Sequence, residues 1–222
     1  MNYLVGDIGN TSIKVSILNE DFGIKKSFKI NTIKIYSKKK LNIFFKKILK
    51  KKFYSKMLFS SVVPKASYVI KNYLKNKNFK FFEIKDLKVK KIIKIKIKNF
   101  NQLGSDRIVN AIGSNIKNSL IIDFGTATTF DIVKKGMYVG GVIAPGVNLS
   151  ISTLNKFTAS LPLLNLQEKQ KSYGKNTIEA LNAGFLWGYE GLVNNIINKI
   201  IIKSKNKYTI ILTGGYAKLF KK

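Results

Sequence analysis

The chain has 222 residues, 45% of them apolar, which suffices for one large or two small domains with real cores and argues against wholesale disorder. It contains no Cys and no His, which removes disulfides, thiol nucleophiles, Ser-His-Asp triads and His-based metal sites; acid–base work falls to carboxylates, Lys or Tyr, and any metal must be a hard cation held by oxygen. Forty-one Lys and Arg against eleven Asp and Glu leave +30, but the cations are almost all Lys, scattered among abundant Ile, Asn and Phe, so we read the charge as drift in an AT-rich genome in preference to a nucleic-acid partner.

In chain order, short strands are expected over 3–8 and 12–18, joined by a tight turn at Gly9-Asn10, with a third over 24–30. Residues 41–50 have helical spacing, with Leu41, Phe44, Phe45, Ile48 and Leu49 on one face. A buried strand over 56–63 runs to Pro64, which opens a helix over 65–75. Apolar–Lys alternation over 87–99 reads as a half-solvated strand, a lysine-coated edge, and a helix follows over 108–116. The second half brings strands over 119–123, 128–133 and 137–144, then a break at Pro145-Gly146. A helix over 147–155, one long helix or two over 176–203, a strand over 208–215 and a short helix over 216–221 complete the reading. The N-terminus lacks a basic leader with an apolar core, and no apolar stretch spans a membrane, so a cytoplasmic protein is expected.

The two halves open alike. An apolar strand ends in Asp7, then Ile8-Gly9-Asn10-Thr11 and a return strand; a second ends in Asp123, then Phe124-Gly125-Thr126-Ala127 and a return strand. The two Asp lie 116 positions apart (123 less 7), so we expect two copies of one α/β unit, residues 1–115 and 116–222. Glycine lets the backbone approach a ligand, the following amides and the hydroxyls of Thr11 and Ser12 form a shallow nest for phosphate, and Asp7 is suited to a hydrated Mg²⁺. Either turn alone reads equally as an ordinary hairpin. Together they match paired ribonuclease-H-like units of the actin, sugar-kinase and heat-shock-70 plan, with ATP in a central cleft.

Three further elements carry chemistry. Gly104-Ser105-Asp106-Arg107 contains the one Arg of the chain, whose planar fork suits a carboxylate, beside Asp106, a candidate base for a substrate hydroxyl; Ser105 or Asp106 as a plain helix cap is the competing reading. Gly140-Gly141-Val142-Ile143-Ala144-Pro145-Gly146 reads as turn geometry. Gly214 and Gly215 end an apolar strand, at the sheet edge where a flat adenine can lie.

In order and spacing, the segments DIGNT, GSDR, IDFGTATT, GGVIAPG and LTGG resemble the type III pantothenate kinase family over essentially the whole chain. The resemblance implies ATP-dependent phosphorylation of pantothenate to phosphopantothenate, the first committed step of coenzyme A synthesis. It implies a first phosphate loop from Asp7 through Gly9, Asn10 and Thr11 to Lys14. Gly104, Ser105, Asp106 and Arg107 would bind pantothenate, with Asp106 as base. Asp123 would hold a monovalent cation, K⁺ or NH₄⁺, and Gly125 and Thr126 would form the second loop on ATP. Thr177 would touch pantothenate, and members are homodimers through the second domain. Two departures stand out. The Asn-Pro pair usual before Gly104 is replaced by Ile97-Lys98-Asn99-Phe100-Asn101-Gln102-Leu103, and longer members continue beyond the seven residues that follow Gly215 here, which implies a reduced backing for adenine. The competing reading is a non-catalytic regulator like the Bvg accessory factor proteins, binding nucleic acid or protein.

Overall fold

The structure is a computed structural model that describes residues 1–49, 55–168 and 172–221. The chain divides into two compact units, Met1–Lys94 with Lys98–Gly113, and Ile95–Ile97 with Ser114–Lys222.

In the first unit, β1 (Tyr3–Ile8) and β2 (Ser12–Leu18) form a hairpin, and β3 (Ile24–Asn31) adds antiparallel to β2. The chain crosses through α1 (Lys38–Ile48) to β4 (Lys56–Ser61), parallel to β1, and through α2 (Pro64–Lys75) to β5 (Lys80–Glu83), parallel to β4. The resulting order is β3-β2-β1-β4-β5. Ile13, Val15 and Ile17 point inward from β2, and Leu41, Phe44, Phe45 and Ile48 meet them from one face of α1. Burying each of these large side chains contributes about 1.5–3 kcal/mol. Gly6 is required beside Phe59, because a β-carbon there would stand 2.2 Å from the ring. The lysine-coated edge of this sheet is β3, whose side chains are mostly exposed.

The second unit repeats the plan. Strands β7 (Ser119–Phe124), β8 (Ala127–Lys134) and β9 (Met137–Pro145) form an antiparallel meander, and β10 (Thr209–Gly214) lies parallel to β7. With β6 (Lys94–Ile95) on the far edge, the order is β10-β7-β8-β9-β6, so β9-β8-β7-β10 matches β3-β2-β1-β4. Leu120, Ile122, Phe124 and Phe130 pack on Val147 and Ile151 of α4 (Val147–Lys156) and on Tyr189, Val193 and Ile200 of α5 (Thr177–Ser204). The stretch 176–203 thus holds one helix, not two, with Asn176 as its cap.

Several expectations are corrected. Residues 87–99 are not one strand: they hold a 3-10 turn at Val89–Lys91 and only the two-residue β6. The doublets Lys90-Lys91 and Ile92-Ile93 shift the alternation out of phase, and the buried pair Val89 and Ile93 has the spacing of a helical turn, closed by Ile93 N donating to Val89 O at 3.0 Å. The helix expected over 108–116 is α3 (Ser105–Ser114), starting as soon as Gly104 O can accept from Ile108 N and ending before Asn115, which adopts a left-handed conformation. Residues 216–220 form turns with one backbone bond back to Gly214 and two to Tyr216, too few to propagate a helix. The strand β5 was missed, although Phe79-Lys80-Phe81-Phe82 carries an aromatic signal for it. In the first expected helix, Lys50 lies outside the described residues, as does Lys222 in the second domain.

Candidate active site

Asp7 is exposed at the tip of β1, its Cα paired with that of Lys14 across the hairpin, which sets both side chains on one face of the sheet. Ser60 Oγ on β4 donates to Asp7 Oδ1 at 3.1 Å. Gly9 N donates to Ser12 O at 3.1 Å, closing the turn that carries Asn10 and Thr11. From outside, the buried Thr32 donates its hydroxyl to Gly9 O at 2.6 Å and its amide to Thr11 O at 3.1 Å. With two carbonyls engaged on the Thr32 side, the turn presents fewer acceptors to repel an anion.

The second turn is one residue shorter. Residues 9–12 separate the paired Ile8 and Ile13, but only 125–127 separate Phe124 and Thr128, and here Gly125 N donates to Ala127 O at 3.1 Å. Asp123 takes the place of Asp7, with Thr129 opposite it in the place of Lys14. Two glycines wall this turn. A β-carbon on Gly146, which caps α4, would stand 2.0 Å from the Thr126 carbonyl oxygen; one on Gly214, at φ +89, would stand 2.5 Å from Asp123 Oδ1 and 2.6 Å from Phe124 N. Gly215 N donates to Phe124 O at 3.0 Å. The start of α4 therefore packs directly on the Gly125-Thr126 backbone, against the carbonyl oxygens of both residues. Two strand positions beyond Thr129, Asp131 is fully buried and accepts from the Tyr138 hydroxyl at 3.0 Å.

On α3, Asp106 and Arg107 lie in the first turn. Arg107 N donates to Asp106 Oδ1 at 2.9 Å, and a β-carbon on Gly104 would stand 2.3 Å from that oxygen, so the carboxylate lies folded over Gly104. Ser105 is 1% exposed. In place of the missing Asn-Pro pair, Asn99 Oδ1 accepts from Asn101 N at 3.0 Å at the head of a 3-10 turn (Phe100–Gln102). Lys85 Nζ donates to Asn101 O at 3.2 Å, and Lys90 Nζ stands 5.1 Å from the centre of the Phe100 ring. At α5, Asn176 Oδ1 accepts from Glu179 N at 3.0 Å and Glu179 Oε2 accepts from Lys175 N at 2.8 Å. Gly174 is so close that a β-carbon would stand 2.0 Å from Ala180 N. This cap explains Gly174 and Asn176, while Thr177 stays exposed at the first helical position.

A sequence profile of the type III pantothenate kinase family matches residues 3–199. The chain belongs to the type III pantothenate kinase family. A type III pantothenate kinase of Pelagibacter ubique is 46% identical over 221 residues, 98% of this chain and 89% of that protein. One of Gluconobacter oxydans is 33% identical over 225 residues, 98% of this chain and 83% of that protein. Among solved structures, a Campylobacter jejuni protein described as a Baf family transcriptional activator is similar at TM-score 0.59 and 22% identity, covering 98% of this chain and 85% of that one. The Clostridium difficile activator of 2-hydroxyisocaproyl-CoA dehydratase, solved with ADPNP, is similar at TM-score 0.51 and 13% identity, covering 99% and 82%. At these identities the solved structures bear on fold alone, that of two ribonuclease-H-like units.

Within the family frame, the site residues named from sequence fall into separate local groups. Asp7, Gly9, Asn10, Thr11 and Lys14 share one hairpin; Gly104, Ser105, Asp106 and Arg107 share the start of α3; Asp123, Gly125, Thr126, Gly214 and Gly215 share one end of the second sheet. Thr177 stands apart from that group at the start of α5. The contact between Gly146 and Thr126 and the buried Asp131 were not anticipated; the first was hidden in a stretch that reads as turn geometry. Among the described residues no helix is long and apolar enough to cross a membrane, and no three Asp or Glu cluster to hold a metal.

Proposed function

We propose that this chain transfers the γ-phosphoryl group of ATP to the primary hydroxyl of pantothenate, giving 4'-phosphopantothenate for coenzyme A synthesis. The observation that carries the reading is the Asp-x-Gly turn recurring at the same strand position of two topologically matched sheets. Membership of the type III pantothenate kinase family supplies the acceptor.

In the first unit, Asp7, Gly9, Asn10, Thr11 and Lys14 form one phosphate loop; in the second, Gly125 and Thr126 form the other, and Gly214 and Gly215 give the adenine a side-chain-free edge. Gly104, Ser105 and Arg107 bind pantothenate with Thr177, the Arg107 fork taking its carboxylate. Ser105, being buried, contributes through its backbone. Asp106 takes the hydroxyl proton as the oxygen attacks phosphorus in line, a contribution of about 10²–10⁴-fold.

Asp7 offers a hard oxygen donor, fitting Mg²⁺, which needs one or two carboxylates and completes its shell with phosphate and water. At Asp123, the carboxylate offers an oxygen donor for a monovalent cation, K⁺ or NH₄⁺, and the Gly214 backbone packs so closely against it that a side chain there would displace it. Bound there, such cations neutralise the charge of the phosphates. We further propose a homodimer formed through the second unit, in keeping with the exposed Ile178, Trp187 and Ile202 on α5, and action in the cytoplasm, where ATP is at hand.

The test is an assay for phosphopantothenate from ATP, Mg²⁺ and pantothenate, run in K⁺, NH₄⁺ and Na⁺, with wild type and Asp106→Asn. Product from wild type, fastest in K⁺ or NH₄⁺, and its loss in the variant are expected. No product from folded wild type in any cation would sink the enzyme reading; full activity of Asp106→Asn would remove the base assignment alone.

A further inference from the structure

Residues 215–221, which form no helix, are bound back at two separate points, on Phe124 beside the second Asp-x-Gly turn and on the first turn of α4. Phe220 stacks on Phe124, the residue between Asp123 and Gly125, with ring centres 5.1 Å apart and planes at 16°. Phe124 is 2% exposed, so Phe220 is part of what keeps it dry. Tyr189 of α5 supports Phe220 from another side, with centres 6.3 Å apart, and its hydroxyl shares a hydrogen bond with Ser150 Oγ at 2.5 Å.

The second point is Tyr216. Its hydroxyl donates to Asn148 Oδ1 in the first turn of α4. Burial pushes the Tyr216 hydroxyl above its ordinary pKa. Asn148 follows Gly146 by two residues, and Gly146 leaves no room for a β-carbon against the Thr126 carbonyl. A shift of the α4 start therefore moves into Thr126 with no slack to absorb it. Just before Tyr216 the backbone itself is tied, since Gly215 N donates to Phe124 O at 3.0 Å.

We propose that Tyr216 and Phe220 are positioning residues for nucleotide: they hold Phe124 and the start of α4 so that Gly125 and Thr126 keep the geometry that phosphate requires. The assignment rests on the reading of this turn as an ATP phosphate loop and adds that loop's support. Neither side chain touches the reacting atoms. Because the support reaches the second turn and not α3, its loss should weaken nucleotide binding and spare pantothenate.

The experiment is calorimetric titration of the full chain with Mg·ADP, followed by separate KM values for ATP and pantothenate, on wild type, Tyr216→Phe, Phe220→Ala and Phe220→Tyr. Tyr216→Phe deletes one oxygen and keeps the ring, so its fold is safe. Tyr216→Phe and Phe220→Ala should bind ADP about tenfold to a hundredfold more weakly, the size of effect that a small misplacement produces. The KM for ATP should rise with that for pantothenate unchanged, and Phe220→Tyr should restore ADP affinity. The proposal is overturned if Tyr216→Phe and Phe220→Ala bind ADP within twofold of wild type, or if the KM values for ATP and pantothenate rise together. Wild type that binds ADP but does not phosphorylate pantothenate would remove the proposed reaction and leave this assignment standing; wild type that does not bind ADP would remove both.

Discussion

Gly214 and Asp123 lie so close that a β-carbon on the glycine would stand 2.5 Å from the carboxylate oxygen Oδ1. Gly214 ends β10, Asp123 is the last residue but one of the parallel neighbour β7, and Gly214 adopts φ +89, a conformation that side chains disfavour. One residue thus does two things: it turns the chain after β10, and it lets the backbone pack directly against the Asp123 carboxylate.

Gly214→Ala should therefore fail on both counts. The neighbours are the carboxylate and the Phe124 backbone, which cannot rotate away, and left-handed strain adds about 1–3 kcal/mol. We expect a lower midpoint in urea together with loss of the K⁺ stimulation of activity. A variant with unchanged midpoint and unchanged cation response would show that the close packing of Gly214 does not hold Asp123 in place.

Gly146→Ala isolates the steric effect, since Gly146 has φ −82, open to any residue. Its β-carbon would meet the Thr126 carbonyl at 2.0 Å, and the turn must move. Overpacking of this kind costs about 1–3 kcal/mol of stability. The KM for ATP should rise by roughly tenfold or more, measured at saturating pantothenate. An ATP KM equal to that of wild type would mean that the α4 start and the turn are not coupled.

Asn176→Ala removes the cap of α5 and should cost about 1 kcal/mol, read as a lower thermal midpoint. Thr177→Ala leaves that cap intact. It should keep the wild-type midpoint and raise the KM for pantothenate, a separation that distinguishes helix capping from substrate contact at neighbouring residues.

Alkaline pH gives a further check. Burial holds the Tyr73 hydroxyl above its ordinary pKa, so the folded chain keeps this proton more tightly than the unfolded chain does. The associated stability is complete below the unfolded value of about 10 and is lost as pH rises through the higher folded value. Tyr73→Phe has no proton to lose and should show a shallower decline of stability above that pH, followed by urea unfolding at a series of pH values. The hydroxyl is near solvent, where it also donates to Asn42 Oδ1, so the change should be small.

What could be read in sequence was local. The Asp-x-Gly turns, Pro64 opening α2, the apolar face of α1 and the 116-residue repeat all depend on residues within a few positions of one another or on a pattern repeated whole (123 less 7). Gly9, Asn10 and Thr11, and Gly125 and Thr126, therefore fall in the two turns expected. Tertiary structure decided what adjacency in space decides. The Lys-rich stretch 87–99 alternates well enough for a strand, but Val89 and Ile93 are both buried at helical spacing, and the strand shrinks to Lys94–Ile95. Residues 216–221 could have made a helix; instead, turns carry Phe220 onto Phe124 and Tyr216 onto Asn148. Above all, a glycine in sequence says only that a side chain is missing. That Gly146 clears the way for Thr126, Gly104 for Asp106 and Gly214 for Asp123 depends on which atoms the fold brings within 3 Å of the missing carbon.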